Sequence, residues 1–179
     1  MNIILGITGG IAAYKTPDLT RKLIKAGHEV QIVMTYSAHE FVSALSLQAV
    51  SGNPVRDDLF DEAAESAMGH IELARWAGLI LIAPATAHCI AQLANGLASD
   101  LLTTLCLAST APIMLAPAMN LQMWQHVATQ KNIARLLDRD VQLIGPESGE
   151  QACGETGAGR MTEPEDIIKA ISENKTLSC

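Results

Sequence analysis

Three widely separated segments each place one chemically capable side chain among residues that otherwise fix backbone shape. They are Gly69-His70-Ile71-Glu72-Leu73, Pro117-Ala118-Met119-Asn120 and Ala152-Cys153-Gly154-Glu155-Thr156-Gly157. A histidine titrates near neutrality and can accept a proton at working pH. An asparagine amide offers both donor and acceptor, which suits it to grip a carboxylate or another amide. A neutral thiol can deliver a proton late in a reaction, a role that a strongly depressed pKa would spoil. Each residue also has a structural reading. His70 can cap a helix start after Gly69, Asn120 can be the N-cap for Leu121 onward, and Cys153 can sit on a plain surface connection. Arg75 follows His70 by five residues, so a helix turns it well away from the histidine. It can pair with a carboxylate or remain solvated.

These side chains need a scaffold, and the apolar pattern supplies one. Short apolar runs alternate with helical patterns, which indicates an α/β protein with a mainly parallel sheet. Strands are expected at Ile3–Thr8, Glu29–Thr35, Leu79–Ala83, Ile113–Ala116 and Val141–Ile144. None shows strict polar alternation, as befits strands covered on both faces. Helices are expected at Ile11–Ala26 (ending at Gly27), Ala38–Val50, Ala87–Ala94, Leu101–Ala108, Met123–Leu137 and Pro164–Ser172. Glu147–Met161 holds four glycines and little apolar periodicity, so it reads as a loop or flap able to close over a ligand. The expected organisation is one domain over 1–173 and a frayed tail over 174–179.

In open parallel sheets, ligands sit beyond the carboxyl ends of the strands. Three such ends carry suggestive turns. The first strand runs into Thr8-Gly9-Gly10-Ile11, where the glycines permit a tight turn and close approach. The second runs into Thr35-Tyr36-Ser37, and the third into Pro84-Ala85-Thr86-Ala87. Each hydroxyl can also be a simple helix cap. Three such turns along one sheet edge favour a nucleotide-like ligand. The small-residue stretch Asn95–Asp100 leads into another helix and is expected to pack nearby.

Composition excludes several alternatives. The chain of 179 residues is 49% hydrophobic but 3% aromatic, so its core is aliphatic. A net charge of −7 argues against a nucleic-acid binder, though not against a phosphorylated small molecule, which backbone N–H groups can hold. No apolar run is long enough to span a membrane, and the N-terminus has no basic leader. The four cysteines show no CxxC spacing, so no metal site or dithiol is expected, and a reduced, cytoplasmic setting is. Cys106, inside an apolar helix, reads as a buried structural thiol. His28, His39, His88 and His126 read as surface or turn residues, and Trp76 and Trp124 as packing anchors.

Several segments together resemble the homo-oligomeric flavin-containing cysteine decarboxylases. These are Thr8-Gly9-Gly10-Ile11-Ala12-Ala13-Tyr14-Lys15, Gly69–Trp76, Ala83-Pro84-Ala85-Thr86-Ala87, Pro117-Ala118-Met119-Asn120 and Ala152-Cys153-Gly154. The resemblance runs from about Asn2 to Ala170. It is strongest to bacterial bifunctional members that join such a domain to a CTP-dependent phosphopantothenate–cysteine ligase. It implies a Rossmann/flavodoxin-like three-layer fold and FMN as cofactor. FMN contacts are implied at Gly9, Gly10, Ile11, Thr35, Ser37, Thr86, Ala87, His88, Cys89 and Ala118. Related flavoproteins often carry Ser-Ala-Asn-Thr where this chain has Thr86-Ala87-His88-Cys89. The implied roles are His70 as base, Arg75 near the reaction centre, Asn120 on the substrate and Cys153 as the late proton donor. Met119, Ala152 and Met161 are implied substrate contacts.

The implied reaction is decarboxylation of the cysteine moiety of 4'-phospho-N-pantothenoylcysteine, within coenzyme A biosynthesis. The implied assembly is a trimer or a dodecamer with the flavin at a subunit interface, and the ligase is an implied fused or associated partner. Three other activities belong to similar proteins. Oxidative decarboxylation of a peptide's C-terminal cysteine stops at the ene-thiol and does not need Cys153. Flavin prenyltransferases share the fold but do not need the His70–Asn120–Cys153 set. Non-catalytic regulatory flavoproteins can lose the base or the thiol, and this chain has both.

Overall fold

The computed structural model describes residues 1–60, 69–152 and 154–174. The central sheet has five parallel strands: β1 (Asn2–Ile7), β2 (Glu29–Met34), β3 (Leu79–Ala85), β4 (Ile113–Pro117) and β5 (Gln142–Leu143). Their order is β2-β1-β3-β4-β5, the flavodoxin type of doubly wound sheet. The chain leaves β1 toward one edge and crosses back to place β3 on its other side. The resulting crevice at the carboxyl ends of β1 and β3 is where such sheets bind ligands.

Side-chain alternation along the strands divides the core in two. Ile3, Leu5 and Ile7, with Leu79, Leu81 and Ala83, pack beneath α1 (Thr16–Lys25) and α2 (Ala44–Ser51). Ile4, Ile80 and Ile82 face α3 (His70–Trp76), α4 (Ala87–Asn95), α5 (Leu101–Ala108) and, past the short α6 (Leu121–Gln125), α7 (Val127–Leu137). The last helix, α8 (Pro164–Glu173), returns to the first face through Ile167 and Ile171. Every residue of β3 is buried, so the unbroken apolar run of that strand reflects cover on both faces. Trp76 and Trp124 pack against the second cluster, as anchors. Among the described residues no helix is long and apolar enough to cross a membrane.

Three expected elements differ in detail. The helix expected over Ile11–Ala26 is a 3-10 turn (Ile11–Lys15) followed by α1, with Pro17 in the first turn of α1. Proline lacks the N–H that a continuous helix would use there, and suits a helix start. The helix expected over Ala38–Val50 is likewise a 3-10 turn (Tyr36–Glu40) and then α2. The helix expected over Met123–Leu137 breaks at His126, which is extended and whose Nδ1 accepts the Ala128 N–H at 3.2 Å to cap α7.

The largest correction concerns Glu147–Met161. It is not an irregular loop: β6 (Glu147–Glu150) and β7 (Thr156–Arg160) pair as an antiparallel hairpin. Main-chain bonds build this hairpin, so glycine-rich strands suffice and no apolar alternation announces it. Cys153 lies outside the described residues.

Candidate functional site

At the crevice, Thr8 holds the ends of β1 and β3 together. Its hydroxyl donates to the Pro84 carbonyl at 2.7 Å and accepts the Thr86 N–H at 3.1 Å. Thr86 then caps α4, accepting the Cys89 N–H at 3.3 Å, so the α4 N-terminus points into the crevice. Thr35 begins the turn after β2, and its N–H donates to the Ile7 carbonyl at 3.0 Å. The first and second turns touch closely. A Cβ placed on Gly9 would lie 2.4 Å from Ser37 Cβ and 2.8 Å from the Ser37 carbonyl oxygen. Only glycine allows that approach.

The hairpin closes the other side. Met119 N–H donates to the Gly159 carbonyl at 2.9 Å. Gln151 Oε1 accepts the Leu121 N–H at 3.0 Å, and its Nε2 donates to the Ala158 carbonyl at 3.2 Å. Asn120 performs two tasks at once. Its Oδ1 accepts the Met123 N–H at 3.0 Å, the helix-cap role open to it from sequence. Its Nδ2 donates to Glu155 Oε2 at 2.6 Å, which presents the amide toward the hairpin tip. The cap thus occupies the oxygen, and the nitrogen is joined to Glu155.

Together these parts enclose a cleft of about 1060 Å³. Gly9, Gly10, Ile11, Thr35 and Ser37 line it, as do Thr86, Ala87, His88, Cys89 and Ala118. Met119, Asn120, Ala152 and Met161 line it from the hairpin side. The stretch before α5 also arrives there, through Ser99 and Asp100. Burial, and secondarily the charge of Asp100, pushes the Cys106 thiol up to about 12. Burial also raises Cys89, with smaller contributions from Cys106 and Asp100. Both are inert packing thiols in this state, so Cys89 meets the cleft as surface and not as a nucleophile.

His70 and Arg75 are not among the residues lining this cleft. Both lie on α3, which packs against α5 and is tied to the segment after it by a Ser109 Oγ bond to the Ala74 carbonyl at 2.7 Å. Arg75 is exposed and His70 half-buried. Of the other histidines, His39 pairs with Asp57 at 3.0 Å, and His28 sits beside the amino terminus, where burial and then that charge lower its pKa.

Four site residues escape the sequence patterns: Lys15, Gln151, Glu155 and Arg160. Gln151 and Glu155 flank Cys153, and this was the available signal for them. Lys15 and Arg160 carry none, because their common partner Glu163 is far away in sequence from Lys15.

A parallel flavodoxin-type sheet with hydroxyl-bearing turns at its switch point defines a nucleotide-cofactor-binding class. The sequence profile of the flavoprotein family matches residues 1–176, and the chain belongs to that family. The coenzyme A biosynthesis bifunctional protein CoaBC of Vibrio vulnificus (strain YJ016) is 60% identical over 166 residues, 93% of this chain and 41% of that protein. The chain thus spans about two fifths of the length of the curated relatives it matches. A solved structure of a PPC decarboxylase mutant complexed with pantothenoylaminoethenethiol superposes with a TM-score of 0.83 at 31% identity, covering 96% of both chains. The peptidyl-cysteine decarboxylase EpiD superposes with a TM-score of 0.81 at 26% identity, covering 96% of this chain and 98% of that one.

Proposed function

We propose that the chain, over 1–173, catalyses FMN-dependent decarboxylation of 4'-phospho-N-pantothenoylcysteine to 4'-phosphopantetheine, in the cytoplasm and in concert with a phosphopantothenate–cysteine ligase. The observation that carries this is the meeting, at one cleft, of the three strand-end turns with Asn120 and with Gln151, Ala152 and Gly159 of the hairpin segment.

The cleft fits FMN. Gly9 and Ser37 are pressed together without room for a methyl group, making a backbone-lined cradle beside the Thr35 and Thr86 hydroxyls. The start of α4 favours an anion. The volume of about 1060 Å³ lies at the upper end for ligand pockets, and leaves space for a second molecule. Gly9→Ala should push the first two turns apart and weaken FMN binding roughly tenfold or more, by the usual cost of overpacking. Fluorescence titration of the apoprotein checks this; unchanged affinity would dissociate the cradle from the cofactor.

Bound FMN supplies a two-electron store that takes up electrons from the thiol-bearing carbon and returns them after CO2 has left. The residues manage protons and orientation. His70 accepts the thiol proton as that carbon becomes a thioaldehyde. The Asn120 amide holds the carboxylate so that the electron pair of the breaking carbon–carboxylate bond flows onto the thioaldehyde, which releases CO2 and leaves an ene-thiolate. Cys153 donates the proton that accompanies the final reduction, so the cycle has no net redox change. We assign Met119, Ala152 and Met161 to the substrate and Arg75 to the neighbourhood of the reacting groups. His70 must then serve the cleft of a neighbouring subunit, in a homo-oligomer such as a trimer or a dodecamer built of trimers. The exposed side chains Ile11, Tyr14 and Tyr36 at the cleft mouth give such a contact its apolar area.

Mass spectrometry of the product from phosphopantothenoylcysteine tests the proposal. Loss of CO2 alone establishes the full cycle. Loss of CO2 and two hydrogens would assign the chain to the peptide-type reaction, and is the expected product of Cys153→Ser. Unchanged substrate in the presence of bound flavin would refute the decarboxylase assignment.

A further inference from the structure

Two cations stand at the hairpin side of the cleft with no role in the chemistry above. Lys15, at the end of the turn after β1, is 11% exposed. Its Nζ donates to Glu163 Oε1 at 2.6 Å and to the Met161 carbonyl at 3.4 Å. Arg160, the last residue of β7, donates through Nη2 to the same Glu163 oxygen at 3.3 Å. One carboxylate thus serves two cations, and the cluster keeps a net positive charge in a protein of −7. Arg160 is held by packing: a Cβ on Gly149 would lie 2.6 Å from its Nη1. Lysine and arginine both retain donors beyond those used on Glu163, and both side chains border the cleft.

We propose that Lys15 and Arg160 are the receptor for the phosphate monoester of the substrate, and that they set the preference for phosphorylated over unphosphorylated substrate. The proposal rests on the decarboxylase activity proposed above. A phosphate monoester is a dianion with three acceptor oxygens, matched by a guanidinium fork and an ammonium side by side. FMN carries the same group, but its cradle lies at the Gly9, Ser37 and Thr86 turns. Lys15 and Arg160 instead converge on Glu163, directly after the hairpin that closes over Asn120.

The test compares FMN-loaded wild type, Lys15→Gln, Arg160→Gln and Glu163→Gln on phosphopantothenoylcysteine and on pantothenoylcysteine. The wild type should prefer the phosphorylated substrate. Lys15→Gln and Arg160→Gln should each lower that preference, the ratio of the two kcat/KM values, about 10- to 100-fold through KM. Glu163→Gln removes the competing carboxylate and leaves both cations, so it should hold or raise the preference. Equal losses on both substrates in all three variants would mean a structural triad and overturn the proposal. Loss of FMN from Lys15→Gln or Arg160→Gln would assign the cluster to the cofactor's phosphate and also overturn it. A wild type that releases no CO2 from either substrate would refute the activity alone. Calorimetry with 4'-phosphopantothenate and pantothenate then decides the phosphate site: preferential binding of the former, lost in Lys15→Gln, supports it, and equal binding overturns it.

Discussion

Replacement of His70 by asparagine should lower kcat/KM for decarboxylation about 10²- to 10⁴-fold, the usual worth of a general base, while FMN remains bound. The size of the effect follows from the role proposed for it, since asparagine cannot take up the thiol proton. Its location makes a second readout available. His70 opens α3 and is not among the residues lining the cleft of its own chain, whereas Asn120 lines that cleft. If His70 serves a neighbouring subunit, His70→Asn and Asn120→Ala chains are each inactive alone, and oligomers mixed from the two contain some sites with both residues intact. Dissociating and reassembling the two variants together should restore part of the activity. Wild-type turnover in His70→Asn would remove the histidine from the mechanism, and silent mixtures would remove the intersubunit site.

Gly159→Ala should be the most damaging single methyl addition on the hairpin. Gly159 is buried and has φ of 139°, a conformation that L side chains rarely adopt. An added Cβ would lie 2.2 Å from the Met119 carbonyl oxygen and 2.6 Å from Gln151 Nε2. Relief requires β7 to move off the Met119–Asn120 segment, breaking the Met119–Gly159 bond and loosening the Gln151 clamp. Overpacking costs about 1–3 kcal/mol, and the backbone strain adds roughly 1–2. At this chain length the sum lowers Tm by about 4–20 °C. Activity should fall too, because Asn120 then parts from Glu155 of the hairpin. Calorimetry and turnover on one preparation check both; a Tm within about 2 °C of wild type would show that the hairpin is not anchored here.

The parallel sheet was legible because β1, β3 and β4 are short, almost wholly buried apolar runs, and burial alone decides such residues. The turns after β1, β2 and β3 were legible too, not from any one of them but because three glycine- or hydroxyl-bearing turns fall at the same sheet edge. Asn120 was readable as a cap or as a substrate grip; its Oδ1 is the cap, and its Nδ2 donates to Glu155. Apolar periodicity could not see the breaks before Thr16 and at His126, where local hydrogen bonds interrupt a pattern that continues across them. It could not see the hairpin either, because glycine-rich strands pair through the main chain and leave no side-chain rhythm.

By itself, then, the sequence determined the layered fold and the residue types that stand at the strand ends, both of which depend on neighbours close along the chain. Only the tertiary structure decided that Lys15 and Arg160 share Glu163, that Gly9 presses on Ser37, and that His70 is not among the residues lining the cleft of its own chain. Those facts depend on residues far apart in sequence, brought together by the crossing of the chain between β1 and β3. No local pattern records such a distance.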